Sequence, residues 1–502
     1  MIGNVRAVSA WTLMILSMVC SDATAQSSEP RNASTAPSQT VATAGAPHSS
    51  ATQKAGATSQ PAAPLTLDYY VRPPGYGTVG ETEPPRYART LSQTGIPSLA
   101  ELNWLDFGID FRNRFEYRDD DYRRTRLTLD TPFLLRSRMY VGIHDIFDPF
   151  RFVLEFKDAR WENSKFPDTD REVDENDIIQ AYGELYFKDA LGPQRPLRLQ
   201  AGRFAFDYLD RRLISRNPWR NTVNNFDGFR AILGQQSNDW QLDLLAMQPV
   251  ERRLRQPDRT DEEEWFYAAI GQWRRWSKII TLQPYYLVRD QDRKDPTRAD
   301  REIHTLGLRG YGYVGDTGLD YDFNIALQVG DDGPREQRAM AAAGELGYTF
   351  KHAWKPRLSA FCGYASGDRD PNDRTTERFD RNFGFARPWS SNDYFVWENV
   401  IAPKLRLEMQ PHKQLTFETG YHAYWLASDS DSWSSAARRD RLGRSCDFIG
   451  HELDARLRWK VDPRVEVILG YAHFMPGGFT KNTGDADDSD FFYVETSLQL
   501  FE

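Results

Sequence analysis

The chain has 502 residues, 27% of them charged, a formal net charge of -9 and a mean hydropathy of -0.65. After the N-terminus no stretch approaches the ~18 consecutive apolar residues that a membrane helix needs, and the acidic balance argues against nucleic acid as a partner. With 29 Phe, 23 Tyr and 14 Trp the chain is not wholly disordered, which leaves several soluble domains or a membrane β-barrel, whose alternating strands lower the average hydropathy.

Residues 1–25 read as a secretory signal. Arg6 supplies the positive charge, Ala7 to Cys20 a short apolar run, and Ala23-Thr24-Ala25 a small-residue cleavage site. Val19 stands where a lipoprotein signal would place a small residue before Cys20, which argues against a lipid anchor. Residues 26–64 are Ser, Ala, Thr, Gln, Pro and Gly with almost no bulky apolar side chain, the composition of a disordered tether. Residues 65–104 form a transition rich in Pro, Tyr and Thr. The two cysteines beyond the signal, Cys362 and Cys446, sit in a compartment that permits a bridge, but their spacing gives no framework signal.

From Leu105 to the end (105–502) the period is two. Leu319, Tyr321, Phe323, Ile325, Leu327 and Val329 alternate with Asp320, Asp322, Asn324, Ala326 and Gln328, and comparable runs recur to the C-terminus. Such alternation puts apolar groups on one strand face and polar groups on the other. Runs of about ten residues exceed the five or six of a soluble sandwich. Eight short turns, near residues 148, 193, 237, 277, 316, 354, 411 and 462, alternate with nine long polar loops, near 119–132, 158–176, 206–224, 248–263, 290–301, 331–338, 367–394, 427–446 and 475–489. This predicts an all-β fold, a transmembrane antiparallel up-and-down β-barrel of 18 strands (range 16–18), with short periplasmic turns and long extracellular loops. The last strand alternates to Phe501, resembling the terminal signal read by barrel-assembly machinery, and Trp240, Trp265, Trp273, Trp425 and Trp459 fit interfacial girdles.

Strand parity points a mixed set of charges into the lumen. The basic members include Arg136, Arg138, Arg198, Arg230, Arg357, Arg406, Arg456 and Arg458, and the acidic ones Asp110, Glu155, Glu184, Asp243, Asp320 and Glu408. Guanidinium groups suit bidentate contact with carboxylates, so such a lining predicts an anion path; alternatively the charges cross-pair and only fill a polar interior. No nucleophile-elbow, zincin or P-loop motif occurs, so no enzyme is expected. A lipid-facing Ser/His site, built on Ser359 or Ser497, is the alternative. Asp368 to Asp373 and Ser428 to Asp431 offer oxygen ligands for Ca²⁺ without EF-hand spacing; no other cofactor is expected.

Two segments carry a family resemblance. One is Gly202-Arg203-Phe204 with Arg212, Pro218-Trp219-Arg220-Asn221 and Phe226-Asp227-Gly228-Phe229-Arg230-Ala231. The other runs from Phe395 to Phe501 and contains Glu398-Asn399-Val400, Gln410-Pro411-His412-Lys413, Tyr421-His422-Ala423-Tyr424-Trp425-Leu426, Gly450-His451-Glu452-Leu453-Asp454 and Gly470-Tyr471-Ala472-His473-Phe474. In these the chain resembles the alginate export family of outer-membrane porins. The resemblance implies a monomeric 18-stranded barrel whose electropositive, constricted pore passes an anionic exopolysaccharide, with Arg203, Arg212 and Arg230 on the matching motifs. Arg203 shares parity with Leu199 and Ala201, so its side chain must turn at the strand end.

The expected function is outward, passive, electrostatically assisted passage of an alginate-like polysaccharide across the cell outer membrane of a Gram-negative-type bacterium. The alternative is a general porin for small anionic solutes, and more distantly a structural or enzymatic barrel. Expected partners are the acidic cargo, outer-membrane lipid, barrel-assembly machinery and a periplasmic helical-repeat scaffold.

Overall fold

The computed structural model describes residues 81–124, 126–292 and 299–501. The proposed signal, the tether and the start of the transition segment lie outside the described residues.

The alternating runs pair into one closed antiparallel sheet of 18 long strands. In chain order these are β1 (Leu105–Asp119), β2 (Phe133–Phe147), β3 (Phe150–Glu162), β4 (Asp174–Phe187), β5 (Leu197–Phe204), β6 (Phe226–Leu233), β7 (Trp240–Glu251), β8 (Glu264–Trp273) and β9 (Thr281–Gln291). The second half is β10 (Arg301–Tyr313), β11 (Leu319–Asp332), β12 (Arg335–Thr349), β13 (Arg357–Ala365), β14 (Val400–His412), β15 (Leu415–Trp425), β16 (Phe448–Asp462), β17 (Val465–Pro476) and β18 (Ser489–Gln499). Each strand pairs with its neighbour in sequence, and β18 closes on β1 from Asp110↔Gln499 to Asp119↔Asp490. Closure removes the free edges that a bilayer would leave unsatisfied. β18 stops short of the start of β1, and there the short strand Ala88–Thr90 pairs with Asp106–Gly108 instead. This seam delivers the preceding residues to the lumen.

The two strand faces meet different surroundings. Phe229, Leu306, Leu327, Val329 and Leu405 point outward and are exposed, as lipid-facing residues must be. Asp320, Asp322, Asn324 and Gln328, the alternate residues of β11, are buried on the inside. Trp240, Trp273, Trp276, Trp354 and Trp459 stand exposed near the short turns, where one aromatic girdle belongs. The start of β1, the end of β18 and the short turns share the periplasmic side, as the sequence pattern predicts.

One connection departs from that pattern. The loop expected near 331–338 is a two-residue hairpin, Gly333-Pro334, between β11 and β12, with Gly333 at φ 61°. Charges in Asp331 to Arg338 signal a loop by composition, yet they belong to strand ends at the polar rim, where alternation with apolar residues is no longer required. Cys362 lies on β13 and Cys446 in the loop before β16; both are exposed and unbridged.

Candidate functional site

The lumen is filled from within by two of the long loops. The first, residues 205–225 between β5 and β6, folds into the barrel and crosses it. Near its start, Tyr208 donates to Asp243 of β7 (2.5 Å) and accepts from Arg230 of β6 (2.8 Å). Asp210 then reaches the far wall, accepting from Asn324 of β11 (2.9 Å). Arg212, paired with Asp210 (2.6 Å), lies over the rings of Phe361 and Trp389 at 4.9 and 5.4 Å. Leu213 and Ile214 are fully buried. The loop ends against β1, where the carbonyls of Trp219 and Arg220 accept from Arg114 and Arg112 at 2.8 Å each. Arg114 also covers the Trp219 ring at 3.9 Å.

The second loop, residues 366–399 between β13 and β14, packs on the first. Phe383 donates its N–H to the carbonyl of Leu213 (2.8 Å), and Ser215 donates to that of Phe383 (3.2 Å). Its far part is latched to β16: Ser391 N–H and Asn392 Nδ2 donate to Glu452 (2.7 and 2.9 Å), and Ser391 Oγ donates to Asp454 (2.9 Å). Phe395 stacks on Tyr424 at 3.6 Å and on Trp433 at 5.3 Å, and such aromatic pairs contribute about 0.5–1.5 kcal/mol each beyond burial.

Around this plug the wall arginines are paired with carboxylates. Arg357 of β13 binds Asp320 (2.6 Å), Glu345 (2.7 Å) and Glu408 (2.9 Å). Arg138 of β2 binds Asp110 (2.9 Å) and Arg136 the same carboxylate at 3.5 Å. Arg198 binds Glu184 (2.6 Å), Arg406 binds Glu408, Arg456 binds Glu418, and Arg458 faces Glu466 at 3.6 Å. Arg230 is shared by Asp243 (3.5 Å) and Glu83 (2.6 Å). Desolvated charges persist only when paired this closely. Arg309 of β10, bound through both nitrogens to Asp322 (2.5 and 3.0 Å), belongs to this set although sequence reasoning missed it. Its alternation with lipid-facing Leu306 and Leu308 was the available signal.

Two sequence candidates stand apart from the wall. Arg212 lies within the plug, as above. Arg203 faces outward with Phe229 and Leu199, its guanidinium held by Asp227 at 2.8 and 2.9 Å, so it does not line the lumen. The flanking motif has a steric reason. Gly202 and Gly228 are cross-strand neighbours at φ 137° and 155°, and a Cβ on either would come within 2.2 Å of a carbonyl oxygen.

Cavities remain between plug and wall among the described residues. One, about 590 Å³, opens near the short turns and is lined by Arg198, Arg216, Arg230, Tyr140 and Tyr186 among others. Another, about 480 Å³, lies at the loop end among Arg289, Arg301, Arg335, Arg378 and Arg439. There Asp380 of the second loop accepts from Arg289 (3.1 Å) and Arg301 (3.0 Å). The N-terminal segment lines the lower cavity, the one near the short turns. Glu81 accepts from Arg138 (3.2 Å), and Tyr87 donates to Glu155 (2.7 Å). Burial opposes ionisation of Glu81, but Arg138 and Arg216 outweigh it and hold its carboxyl down at about 2. This segment carries no periodic signal, because it touches no lipid and pairs with the wall over only three residues, Ala88–Thr90 against β1.

Among the described residues, two clusters converge as metal ligands would. Glu452 and Asp454 are engaged by the Ser390–Asn392 latch, and His422 by the Trp389 carbonyl (3.2 Å) and Asp454 (2.9 Å). Asp174, Asp177 and Asp258 are buried together at the outer rim with ligand oxygens within 4.8 Å of one another, and Asp174 Oδ1 and Asp258 Oδ2 accept no hydrogen bond. These three carboxylates could hold a hard divalent cation. The acidic loops singled out from sequence bind guanidinium groups instead: Asp368 accepts from Arg335 (2.9 Å) and Asp431 from Arg378 (2.8 Å). A Ser/His site at the lipid face is not assembled around Ser359 or Ser497, which lie on the lumen parity, whereas His304 and His451 pair with outward Tyr286 and Tyr421.

Solved outer-membrane porins share the fold of this barrel. OprD from Pseudomonas aeruginosa aligns with a TM-score of 0.53 at 10% identity, covering 79% of this chain and 94% of that one. OccK2 (OpdF) from the same organism, solved in complex with glucuronate, aligns at 0.55 and 12% identity, covering 79% and 98%. OccAB3 from Acinetobacter baumannii aligns at 0.53 and 13%, covering 79% and 99%. At such identities the likeness is one of fold. No curated protein sequence matches. The family model for alginate export matches residues 103–494. A closed 18-stranded barrel with a polar lumen, matched by that model over most of its length, is an outer-membrane channel, and the chain belongs to the alginate export family.

Proposed function

We propose that this channel passes an anionic, uronate-containing polysaccharide outward, with the wall arginines exchanging their internal carboxylate partners for those of the cargo. The observation that carries this reading is the set of lumen arginines, including Arg136, Arg138, Arg198, Arg230, Arg357, Arg406, Arg456 and Arg458, each facing a carboxylate of the chain itself. Replacing one carboxylate by another keeps every guanidinium paired, so passage avoids the cost of stranding a desolvated charge. The plug loops must shift for a polymer to pass, and their attachment by side chains rather than by ladder hydrogen bonds permits it.

A second reading, a porin for small uronates or other organic anions, is favoured by the 590 Å³ cavity, which suits a sugar acid better than a polymer. The glucuronate complex of OccK2 points the same way. Planar-bilayer recording on the full chain separates these readings. Anion selectivity with block by polyuronate, and not by a neutral polymer of equal length, is the expected result. Block by monomeric glucuronate alone would favour the porin, and cation selectivity would overturn both.

A further inference from the structure

The lower cavity already contains carboxylates in the positions of a ligand. Glu83 lies between two wall arginines, accepting from Arg230 (2.6 Å) and facing Arg198 at 3.6 Å. Glu81 accepts from Arg138 (3.2 Å). Neither glutamate belongs to the barrel wall. Both arrive on the segment that enters beneath the seam at Ala88–Thr90. The arginines do not depend on them for orientation. Arg230 is also fixed by Tyr208 (2.8 Å) and Asp243 (3.5 Å), and Arg138 by Asp110 (2.9 Å) and Glu155 (3.7 Å). Arg138 and Arg230 are both more than nine-tenths buried. Preorganised guanidinium groups whose removable partners come from a separate segment form a carboxylate-binding site.

We infer that Glu81 and Glu83 occupy, as internal surrogates, two uronate subsites at the periplasmic mouth of the channel, and that cargo carboxylates bind by displacing them. This rests on the proposed anionic cargo and adds where the first residues of that cargo bind. Exchange is charge-neutral at Arg138, Arg198 and Arg230, so the segment acts as a competitor in the mouth. Tyr140 and Tyr186 line the same cavity.

The test is a Glu81→Gln/Glu83→Gln double variant of the full chain in planar bilayers. Tetragalacturonate and its neutral, carboxyl-reduced counterpart are each added from the turn side and from the loop side. Removing the competing charges should lower the concentration of tetragalacturonate needed for turn-side block by about tenfold or more, the scale of one charge-assisted hydrogen bond. The neutral tetrasaccharide should gain nothing, and Arg230→Gln added to the double variant should cancel the gain. An equal gain for both sugars would mean that the segment obstructs only by bulk, and would overturn the inference. So would unchanged turn-side block in a channel that stays anion-selective and is still blocked by tetragalacturonate from the loop side; the proposed cargo class would survive that result. Cation selectivity with no block from either side would instead remove the cargo class itself.

Discussion

The wall of the barrel and the plug inside it are built from the same chain by different rules. Each wall strand is held by long backbone ladders to two neighbours, and its two faces are sorted by a period of two. The plug has little ladder: single bridges join Tyr208 to Ile214 and Ile214 to Phe383, and Thr375–Thr376 pairs over two residues with β12. It is fixed by side chains reaching from distant strands, such as Arg112 and Arg114 of β1 and Glu452 of β16. A ladder is lost only when strands separate, whereas side-chain attachments can be exchanged singly. The wall therefore supplies permanence, and the plug supplies a state that can change.

The most severe way to break this contrast is to remove the crossing loop. Replacing residues 209–221 by a short Gly–Ser linker leaves the β5–β6 pairing intact. The channel should pass from little current to a steady open one while the folded barrel keeps its electrophoretic mobility without heating. Unchanged conductance would show that loop 205–225 is not the barrier. Arg357→Met attacks the inner face of the wall instead. It strands Asp320 and Glu345 without their shared cation, a loss of about 3–5 kcal/mol for a broken buried pair. The urea midpoint of unfolding from lipid vesicles should fall accordingly, with conductance altered far less than by the loop removal. Leu306→Arg attacks the outer face. Leu306 is 62% exposed in mid-strand, where a charge against lipid costs about 2–4 kcal/mol. The same unfolding measurement should register it, and ion selectivity should not change. A selectivity change would mean that β10 presents this face to the lumen.

How much of this was legible follows the same division. Strand number, closure and face assignment could be read from runs such as Leu319 to Val329, because one apolar solvent outside and one polar space inside impose a local period. The hairpin at Gly333-Pro334 was hidden because β11 and β12 extend into the polar rim, where Asp331, Asp332 and Arg335 satisfy no membrane constraint. Trp219, Leu213 and Trp389 gave no sign of a plug. Their partners are Arg114, Phe383 and Phe361, all on other elements of the chain, and no local pattern encodes such a contact. Arg203 is the intermediate case. Its parity announced an outward face, while the likeness to the family motif suggested the pore, and the outward-facing ion pair with Asp227 follows the parity.

The loop at the ends of β4 and β7 belongs to neither class, and its pH response sharpens the comparison most finely. Burial, together with the neighbouring charge of Asp174 and Asp177, pushes the Asp258 carboxyl up to about 7. A carboxyl whose value is raised on folding adds stability below its unfolded value near 4, and that contribution disappears as the pH climbs through about 7. Loop 252–263 should therefore be better protected at pH 5 than at pH 8. The backbone N–H groups of Asp258 and Arg253 report it directly, since they donate to Asp177 (2.6 Å) and to Asp258 itself (2.7 Å). Asp258→Asn keeps the shape and cannot ionise. At pH 8 its amides should exchange more slowly than those of the unaltered chain, and at pH 5 the two should agree. Equal exchange in both proteins at both values would mean that Asp258 titrates as an ordinary carboxylate. Adding Ca²⁺ at pH 8 discriminates further. If Asp174, Asp177 and Asp258 bind the ion, it replaces the proton as the neutralising charge, and only the chain with an ionisable residue 258 gains protection.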